Sequence, residues 1–125
     1  MRIKQPLVSI GVPTYNRSRF LREAIDSVLN QTYTNFELII SDNASTDDTE
    51  RLCKEYSNKD KRIKYFRQKE NIGIDANFYF VLNEAHGEYF AWLPDDDLYS
   101  PQFIEKLLEG FVDESVAGVF CREIC

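Results

Sequence analysis

Three consecutive carboxylates, Asp95, Asp96 and Asp97, are the residues of this sequence with the clearest capacity for chemistry. They follow an aromatic run of strand character at 89–93 and precede Ser100-Pro101, a pair typical of a helix start. Adjacent carboxylates repel one another unless each has a partner or the group shares a cation. Because oxygen ligands suit hard divalent cations, the triplet predicts Mg²⁺ or Mn²⁺ bridging to a phosphate, with a solvated acidic turn as the simpler alternative.

The remaining sequence alternates between apolar runs and segments whose apolar residues recur at helical spacing. Strands are predicted at 7–12, 36–40, 63–66, 89–93 and 116–121, and helices through 20–29, 45–57, 74–85 and 101–111. This alternation predicts an α/β fold of three layers, in which helices cover both faces of an open, mostly parallel sheet.

Single residues predict where several elements begin and end. Pro13 is expected to end the first strand, and Gly87 to close the third helix as a C-cap residue. Ser45, with Asp48 three residues later, resembles a capping box that opens the second helix. The apolar stripe at 74, 78, 81, 82 and 85 is expected to be the buried face of the third helix, and His86 is interpreted as a surface residue.

Length and composition limit the classes of protein to consider. A chain of 125 residues, 43% of them hydrophobic, can form one domain, 1–125, with its own core. Its 15 basic and 21 acidic residues give a net charge of −6, which argues against binding nucleic acid. Three cysteines without metal-site spacing, and no apolar run of membrane-spanning length, indicate a cytoplasmic location. Only four residues follow the last predicted strand, so we expect the chain to be part of a longer protein.

In a parallel sheet, the loops after successive strands emerge at one edge, where open α/β sheets bind ligands. The unusual residues gather in those loops: Thr14, Tyr15, Asn16, Arg17, Asp42, Asn43, Asn71, Gly73 and Asp95 to Asp97. A single carboxylate after a strand usually caps a helix, and a single aromatic residue usually belongs to the core. Their concurrence at one edge indicates a binding site instead.

The residue types predict how such a site would work. Tyr15 can stack on a planar base, and Asp42 can accept a hydrogen bond from a ring N–H, as in uracil or guanine. Gly73 lets the backbone approach a ligand closely, or merely provides a turn with positive φ. A metal held by the aspartates would neutralise a diphosphate and make it a stabilised leaving group.

A family resemblance extends over almost the whole chain. The family 2 glycosyltransferases open with strands and loops similar to residues 8–17 (VSIGVPTYNR) and 36–47 (FELIISDNASTD). The similarity continues in the same order at 71–73 (NIG) and 95–101 (DDDLYSP). The resemblance implies the GT-A fold, with a Rossmann-like half that binds nucleotide-diphospho-sugars. It also implies inverting transfer of a sugar, with a UDP-sugar favoured, to an acceptor hydroxyl in cell-surface polysaccharide or glycoconjugate synthesis.

Carried over residue by residue, the resemblance implies a donor site and a metal site. The nucleotide would contact Pro13, Thr14, Tyr15, Asn16, Asp42, Asn71, Gly73 and Asp95. Asp96, together with Asp95, would hold the Mn²⁺ or Mg²⁺ of a DxD-type motif, and Asp97 would support the loop or cap the following helix. The chain departs from the family in having Pro94 at the first motif position, and Asp75-Ala76-Asn77 where many members carry an arginine.

The same resemblance places the acceptor-binding region and the catalytic base, usually an Asp or Glu, beyond this chain. We therefore assign no catalytic residue and expect the chain to bind donor without turning it over. The acceptor is an unknown carbohydrate or a lipid-linked molecule, and the latter would suit a cytoplasmic protein peripheral to the inner face of a membrane. Apolar surface left by the absent half would favour self-association.

Three other classes of protein compete with this interpretation. A nucleotidyltransferase that makes nucleotide-sugars usually has a glycine-rich loop with a basic residue after its first strand, unlike residues 13–16. A phosphoacceptor signalling domain would carry its acidic pair after strand one rather than strand four. A non-catalytic nucleotide- or partner-binding α/β module stays open, and it predicts no nucleotide binding if its acids are only a solvated face.

Overall fold

The computed structural model describes residues 5–109 as alternating strands and helices. In chain order the elements are β1 (Val8–Thr14), α1 (Ser18–Leu29), β2 (Phe36–Asp42), α2 (Thr49–Lys59), β3 (Ile63–Arg67), α3 (Ile74–Asn83), β4 (Tyr89–Trp92) and α4 (Phe103–Glu109). The strands pair in the order β3-β2-β1-β4, and every pair is parallel. The predicted strand at 116–121 lies outside the described residues.

Side chains of β1 and β2 alternate between the two faces of the sheet. Val8, Ile10 and Val12 join Leu38 and Ile40 on one face, where they form the main apolar core with residues of α1, α2 and α4. The opposite face is covered by α3, which packs on β1 and β2. Helices therefore cover both faces, and the predicted three-layer α/β fold is confirmed.

Pro13 lies inside β1, so the prediction that it ends this strand is wrong. Alternate residues of a parallel strand face opposite neighbours, and Gly11 faces β4, because its carbonyl accepts a 2.8 Å hydrogen bond from the Leu93 amide. Pro13 faces the same side, where β4 has already ended at Trp92. The missing N–H of the proline thus costs no ladder hydrogen bond, and β1 continues alongside β2 to Thr14.

The capping residues predicted for α2 and α3 do not cap these helices. α2 begins at Thr49, and Asp48 before it makes no side-chain capping hydrogen bond, so the capping box at Ser45 is wrong. α3 ends well before Gly87, which is therefore not its C-cap. A Cβ atom at Gly87 would lie 2.6 Å from the Leu7 carbonyl oxygen, so this glycine instead permits a close approach of two backbones.

α3 is rotated relative to the predicted apolar stripe. Val81 of that stripe is buried as predicted, but the other buried residue of the helix is Asn77, whereas Ile74 is 75% exposed and Leu82 is 37% exposed. The Ser41 hydroxyl of β2 donates a 2.6 Å hydrogen bond to Asn77 Oδ1, and Asn77 Nδ2 donates to the Ser41 carbonyl at 3.1 Å. The hydrogen bonds between Asn77 and Ser41 therefore help to set which face of the helix is buried, and this face differs from the one that the apolar periodicity predicted.

Candidate functional site

A cavity of about 390 Å³ opens at the carboxyl ends of β1 and β4. β1 lies between β2 and β4, and the chain passes over one face of the sheet through α1 and over the other through α3. This reversal point is where open α/β sheets bind ligands. The cavity is lined by Pro13, Thr14, Tyr15, Arg17, Asn43, Ile74, Asn77, Phe78, Pro94, Asp95 and Asp96. The predicted site residues Asn16, Asp42, Asn71 and Gly73 are not part of this lining.

Asn16 shapes the loop between β1 and α1. It adopts the left-handed conformation, with a φ of 52°, which asparagine tolerates better than most residues. Its side-chain oxygen accepts hydrogen bonds from the amides of Thr46 (2.7 Å) and Asp47 (3.3 Å), and its own amide donates to the Ser45 hydroxyl at 2.8 Å. Asn16 thus joins the loops after β1 and β2 and fixes the direction of the segment that carries Tyr15. The same contacts engage Ser45, which explains why no capping box forms there.

Asp95 connects the end of β4 to the end of β1. The Thr14 hydroxyl donates a 2.8 Å hydrogen bond to Asp95 Oδ2, and the Asp95 side chain is 14% exposed. Burial raises the pKa of this carboxyl, although the hydrogen bond from Thr14 and the charge of Arg17 act in the opposite direction. A further cation beside Asp95 would favour its ionised form.

Arg17 lies close to both of the predicted metal ligands. Its Nη1 atom is 3.3 Å from Asp96 Oδ2, and its Nε atom is 3.9 Å from Asp95 Oδ1. The side chains of Arg17 and Asp96 are both about half exposed. Sequence reasoning missed this residue, which it placed in a polar loop without a role. The available signal was its charge, because Arg17 is the only cation in the polar loops that the sequence singles out.

The acidic loop, Asp95 to Asp97, is anchored to the apolar core by the residues that follow it. The Asp97 amide donates a 3.0 Å hydrogen bond to the Pro94 carbonyl, which closes the turn that follows β4. The Tyr99 hydroxyl donates to the Trp92 carbonyl at 3.0 Å, and its ring stacks on Phe103 of α4 with centroids 3.9 Å apart. These contacts hold the turn in place beside the end of β1.

Asp42 is turned into the protein rather than into the cavity. Its carboxylate is fully buried, and it accepts hydrogen bonds from the Tyr65 hydroxyl (2.6 Å), the Arg67 guanidinium (3.1 Å) and the Ser45 amide (2.9 Å). Burial and the hydrogen bond to Asp42 raise the pKa of Tyr65, so the Tyr65 hydroxyl keeps its proton and stays a donor. Asp42 thus joins the ends of β2 and β3, and a nucleotide base could reach it only if a side chain such as that of Arg67 moved.

Asn43 holds the loop after β3 against the cavity. Its amide group donates a 3.2 Å hydrogen bond to the Gly73 carbonyl, and its side-chain oxygen accepts one of 2.8 Å from the Ile72 amide. Gly73 has a φ of 93°, which favours glycine, and Asn71 accepts a hydrogen bond from its amide at 2.8 Å. Asn71 and Gly73 therefore shape the loop, while Asn43, which was outside the predicted set, lines the cavity.

The acidic loop suits a divalent cation that also binds a phosphate. Mg²⁺ is usually held by one or two carboxylates together with substrate phosphates, and Asp95 and Asp96 provide two at the cavity wall. Within residues 5–109, no group of three or more His, Cys, Asp and Glu side chains is arranged to hold a metal. A cation at Asp95 and Asp96 would therefore take its remaining oxygen ligands from the substrate or from water.

Comparison with known families agrees with this arrangement of strands and loops. The family model described as Glycosyl transferase family 2 matches residues 9–123. The chain belongs to this family. The match includes all of β1 but its first residue, the acidic loop and every loop that lines the cavity, so the resemblance drawn from the sequence motifs is confirmed.

The related proteins are longer than this chain. It is 47% identical over 118 residues to an uncharacterized glycosyltransferase of Rickettsia typhi. The aligned segment covers 93% of this chain and 36% of the relative. It is 35% identical over 116 residues to TuaG of Bacillus subtilis, a glycosyltransferase whose name assigns it to teichuronic acid biosynthesis. That match covers 93% of this chain and 46% of TuaG. The chain thus spans less than half of the length of either relative.

A solved structure confirms the GT-A fold expected for the family. TarS of S. aureus in complex with UDP superposes with a TM-score of 0.76 at 29% identity, over 86% of this chain and 32% of the TarS chain. TarS in complex with UDP-GlcNAc gives the same TM-score and identity. In the part of this chain that the structure describes, no helix is both long and apolar enough to cross a membrane.

Proposed function

We propose that this chain binds the nucleotide-diphospho-sugar donor of a family 2 glycosyltransferase of the hexosyltransferase type, with a UDP-sugar favoured. The whole protein would transfer the sugar to an acceptor hydroxyl with inversion. The observation that carries the proposal is the cavity at the carboxyl ends of β1 and β4, whose lining includes Tyr15, Arg17 and the Asp95-Asp96 pair. The complexes of TarS with UDP and UDP-GlcNAc support a uridine nucleotide, and the name of TuaG supports a product in cell-surface polysaccharide.

The residues at the cavity would bind and orient the donor. Tyr15 is 44% exposed and offers an aromatic face to the base, which we place near the loop held by Asn43. Asp95 and Asp96 would hold Mn²⁺ or Mg²⁺, which would neutralise the diphosphate and stabilise it as a leaving group. Asn16, Asp42, Asn71 and Gly73 would act by shaping the surrounding loops, since their side chains or backbones are engaged there.

The catalytic step would need groups outside this chain. We propose that the acceptor site and the base that deprotonates the acceptor hydroxyl lie in the part of the protein that the longer relatives have beyond the matched segment. The acceptor would be a carbohydrate or a lipid-linked molecule, and the reaction would take place at the cytoplasmic side of a membrane. The chain by itself would bind donor without transferring sugar, so appreciable transfer by the purified chain would contradict this part of the proposal.

Thermal unfolding with UDP, GDP, dTDP and CDP, each with and without Mn²⁺, tests the donor site. A nucleotide at about a hundred times its dissociation constant should stabilise the chain by about 2.7 kcal/mol, and we expect UDP with Mn²⁺ to give the largest shift. Asp96→Ala should remove the metal-dependent part. Glu23→Ala, which removes an exposed acid of α1, is the matched control and should leave the shift unchanged.

The outcomes separate the proposed function from its alternative. Stabilisation by one nucleotide that requires metal, and that disappears in Asp96→Ala, would support the donor site and identify the base. If the folded chain shows no shift with any nucleotide, either the rest of the protein completes the site or the acidic loop is a structural turn, and the same assay on a longer stretch of the protein separates the two.

A further inference from the structure

We propose that Arg17 is an internal counter-ion of the acidic loop, which exchanges its carboxylate partners for the diphosphate of the donor when a divalent cation binds. This inference rests on the proposed function and gives a role to a residue that sequence reasoning left without one. Arg17 lies 3.3 Å from Asp96 and 3.9 Å from Asp95, measured between guanidinium nitrogens and carboxylate oxygens. Since these are the two proposed metal ligands, the guanidinium and the metal would compete for the same oxygens.

The structure leaves Arg17 able to make this exchange. Its backbone is fixed, because its carbonyl accepts a 2.8 Å hydrogen bond from the Leu21 amide in the first turn of α1. Within residues 5–109, its guanidinium is held only by a single hydrogen bond to Asp96 and by the longer contact with Asp95, in a half-exposed position. Half-exposed ion pairs of this kind are weak, so a divalent cation can displace the guanidinium.

Charge at the cavity explains why the exchange would favour the donor. Among the described residues that line the cavity, Arg17 is the only cation, and Asp95 and Asp96 are the only acids. The lining therefore carries one more negative than positive charge and repels a diphosphate. A divalent cation on the two aspartates makes the net charge of the lining positive. It also repels the guanidinium from the carboxylates, but Arg17 remains part of the cavity lining. A planar guanidinium binds phosphate oxygens in a bidentate manner, so the displaced Arg17 would hold the donor.

Two binding measurements with opposite expected signs test the exchange. Mn²⁺ binding without nucleotide is followed through the EPR signal of free Mn²⁺, and UDP binding at saturating Mn²⁺ by calorimetry. Arg17→Met should bind Mn²⁺ about threefold more tightly, because a weak competing ion pair is gone. It should bind UDP about tenfold more weakly, because a charge-assisted hydrogen-bond donor is gone. Arg19→Met removes an exposed cation two residues away and should change neither constant by as much.

A second variant distinguishes the charge of Arg17 from its shape. Arg17→Lys keeps the positive charge, so it should bind Mn²⁺ about as tightly as the wild-type chain, and UDP less weakly than Arg17→Met. If Arg17→Met binds Mn²⁺ as well as or worse than wild type while UDP binding falls, Arg17 supports the loop or the donor alone and the exchange is wrong. A folded wild-type chain that binds neither Mn²⁺ nor UDP would overturn the exchange together with the proposed function. A wild-type chain that binds both, without opposite effects in Arg17→Met, would overturn only the exchange.

Discussion

The two faces of the sheet are held by different kinds of contact. Under α1, α2 and α4, most of the buried side chains of the sheet are apolar, and Ile10 and Leu38 among them are fully buried. Under α3, Val81 is fully buried, but polar side chains are buried there as well: Ser41 bonds to Asn77, and Glu37 bonds to Ser9. Apolar burial is non-directional, whereas a hydrogen bond requires one geometry. The first face therefore contributes most of the stability, and the second determines where α3 and the cavity wall that it carries must lie.

Glu37 is the centre of the polar contacts under α3. Its carboxylate accepts hydrogen bonds from the Ser9 hydroxyl (2.5 Å), the His86 amide (2.6 Å) and the Lys64 ammonium (2.9 Å). Burial opposes the charge of Glu37, but the hydrogen bonds from Ser9, His86 and Lys64, and the charge of Lys64, outweigh it and lower the pKa to about 2. The His86 side chain is mostly exposed, as predicted, although its Nδ1 atom lies 3.6 Å from the Glu37 carboxylate to which its backbone amide donates. One carboxylate thus joins β1, β2, β3 and the loop before β4.

The largest expected effect comes from breaking the apolar face. Leu38→Ala should destabilise the chain by about 2–5 kcal/mol, because it removes buried methyl groups and leaves a cavity in the main core. Leu82→Ala on the partly exposed side of α3 is the control and should cost less than about 1 kcal/mol. Urea unfolding measures both, and equal losses would contradict the assignment of stability to the first face.

The next effect tests whether Glu37 is stabilised as a carboxylate. Its pKa is lowered from an ordinary value of 4.5 to about 2, so the folded chain holds this proton less tightly than the unfolded chain does. The stabilisation is complete above about pH 4.5 and is lost as the pH falls towards 2, by at most about 3 kcal/mol. Glu37→Gln should therefore flatten this part of the stability profile, as measured by unfolding between pH 2 and pH 6. Glu23→Gln on α1 should keep the wild-type slope, and an unchanged slope in Glu37→Gln would show that other acids cause it.

The smallest effect on stability is expected for Asn77→Ala, whose effect on hydrogen exchange should be confined mainly to α3. Asn77→Ala removes the hydrogen bonds to Ser41 and should cost about 1–2 kcal/mol. Because those bonds fix α3, amide hydrogen exchange should accelerate at 74–83 by more than the loss of global stability explains, while exchange in α1 should follow global stability alone. Uniform acceleration in both helices would mean that α3 is held by general packing rather than by these contacts.

The first face could be predicted from the sequence because its signal is local. The aliphatic residues of β1 and β2, such as Val8 and Ile40, occur in short apolar runs, and the spacing from Leu21 to Val28 is helical. The loops at the strand ends then followed from parallel topology, which is how Thr14, Tyr15, Asp95 and Asp96 were predicted to lie at one edge. The structure does bring these four side chains to one cavity.

The second face could not be predicted, because its contacts join residues that are far apart in the chain. Ile74 is apolar, as expected of a buried residue, yet it is exposed. Asn77 is buried on the same helix instead, where it bonds to Ser41. Asp42 was predicted to face a ligand from its position after a strand. Its partners, Tyr65 and Arg67, were not evident from the sequence, because they reach it only when β3 pairs with β2. A polar residue gives no periodic signal of which distant partner will engage it.

The contact between β1 and the acidic loop tolerates changes in the length of the chain between them. The Thr14–Asp95 hydrogen bond joins residues 81 positions apart, whereas the Ser9–Glu37 bond joins residues 28 positions apart. Closure entropy grows with the logarithm of the intervening length, so the longer closure costs about 1 kcal/mol more. A further insertion of several residues would add only a small fraction of that cost. Insertions and deletions in the loops after β2 and β3 could therefore remodel the rim of the cavity while Thr14 stays against Asp95.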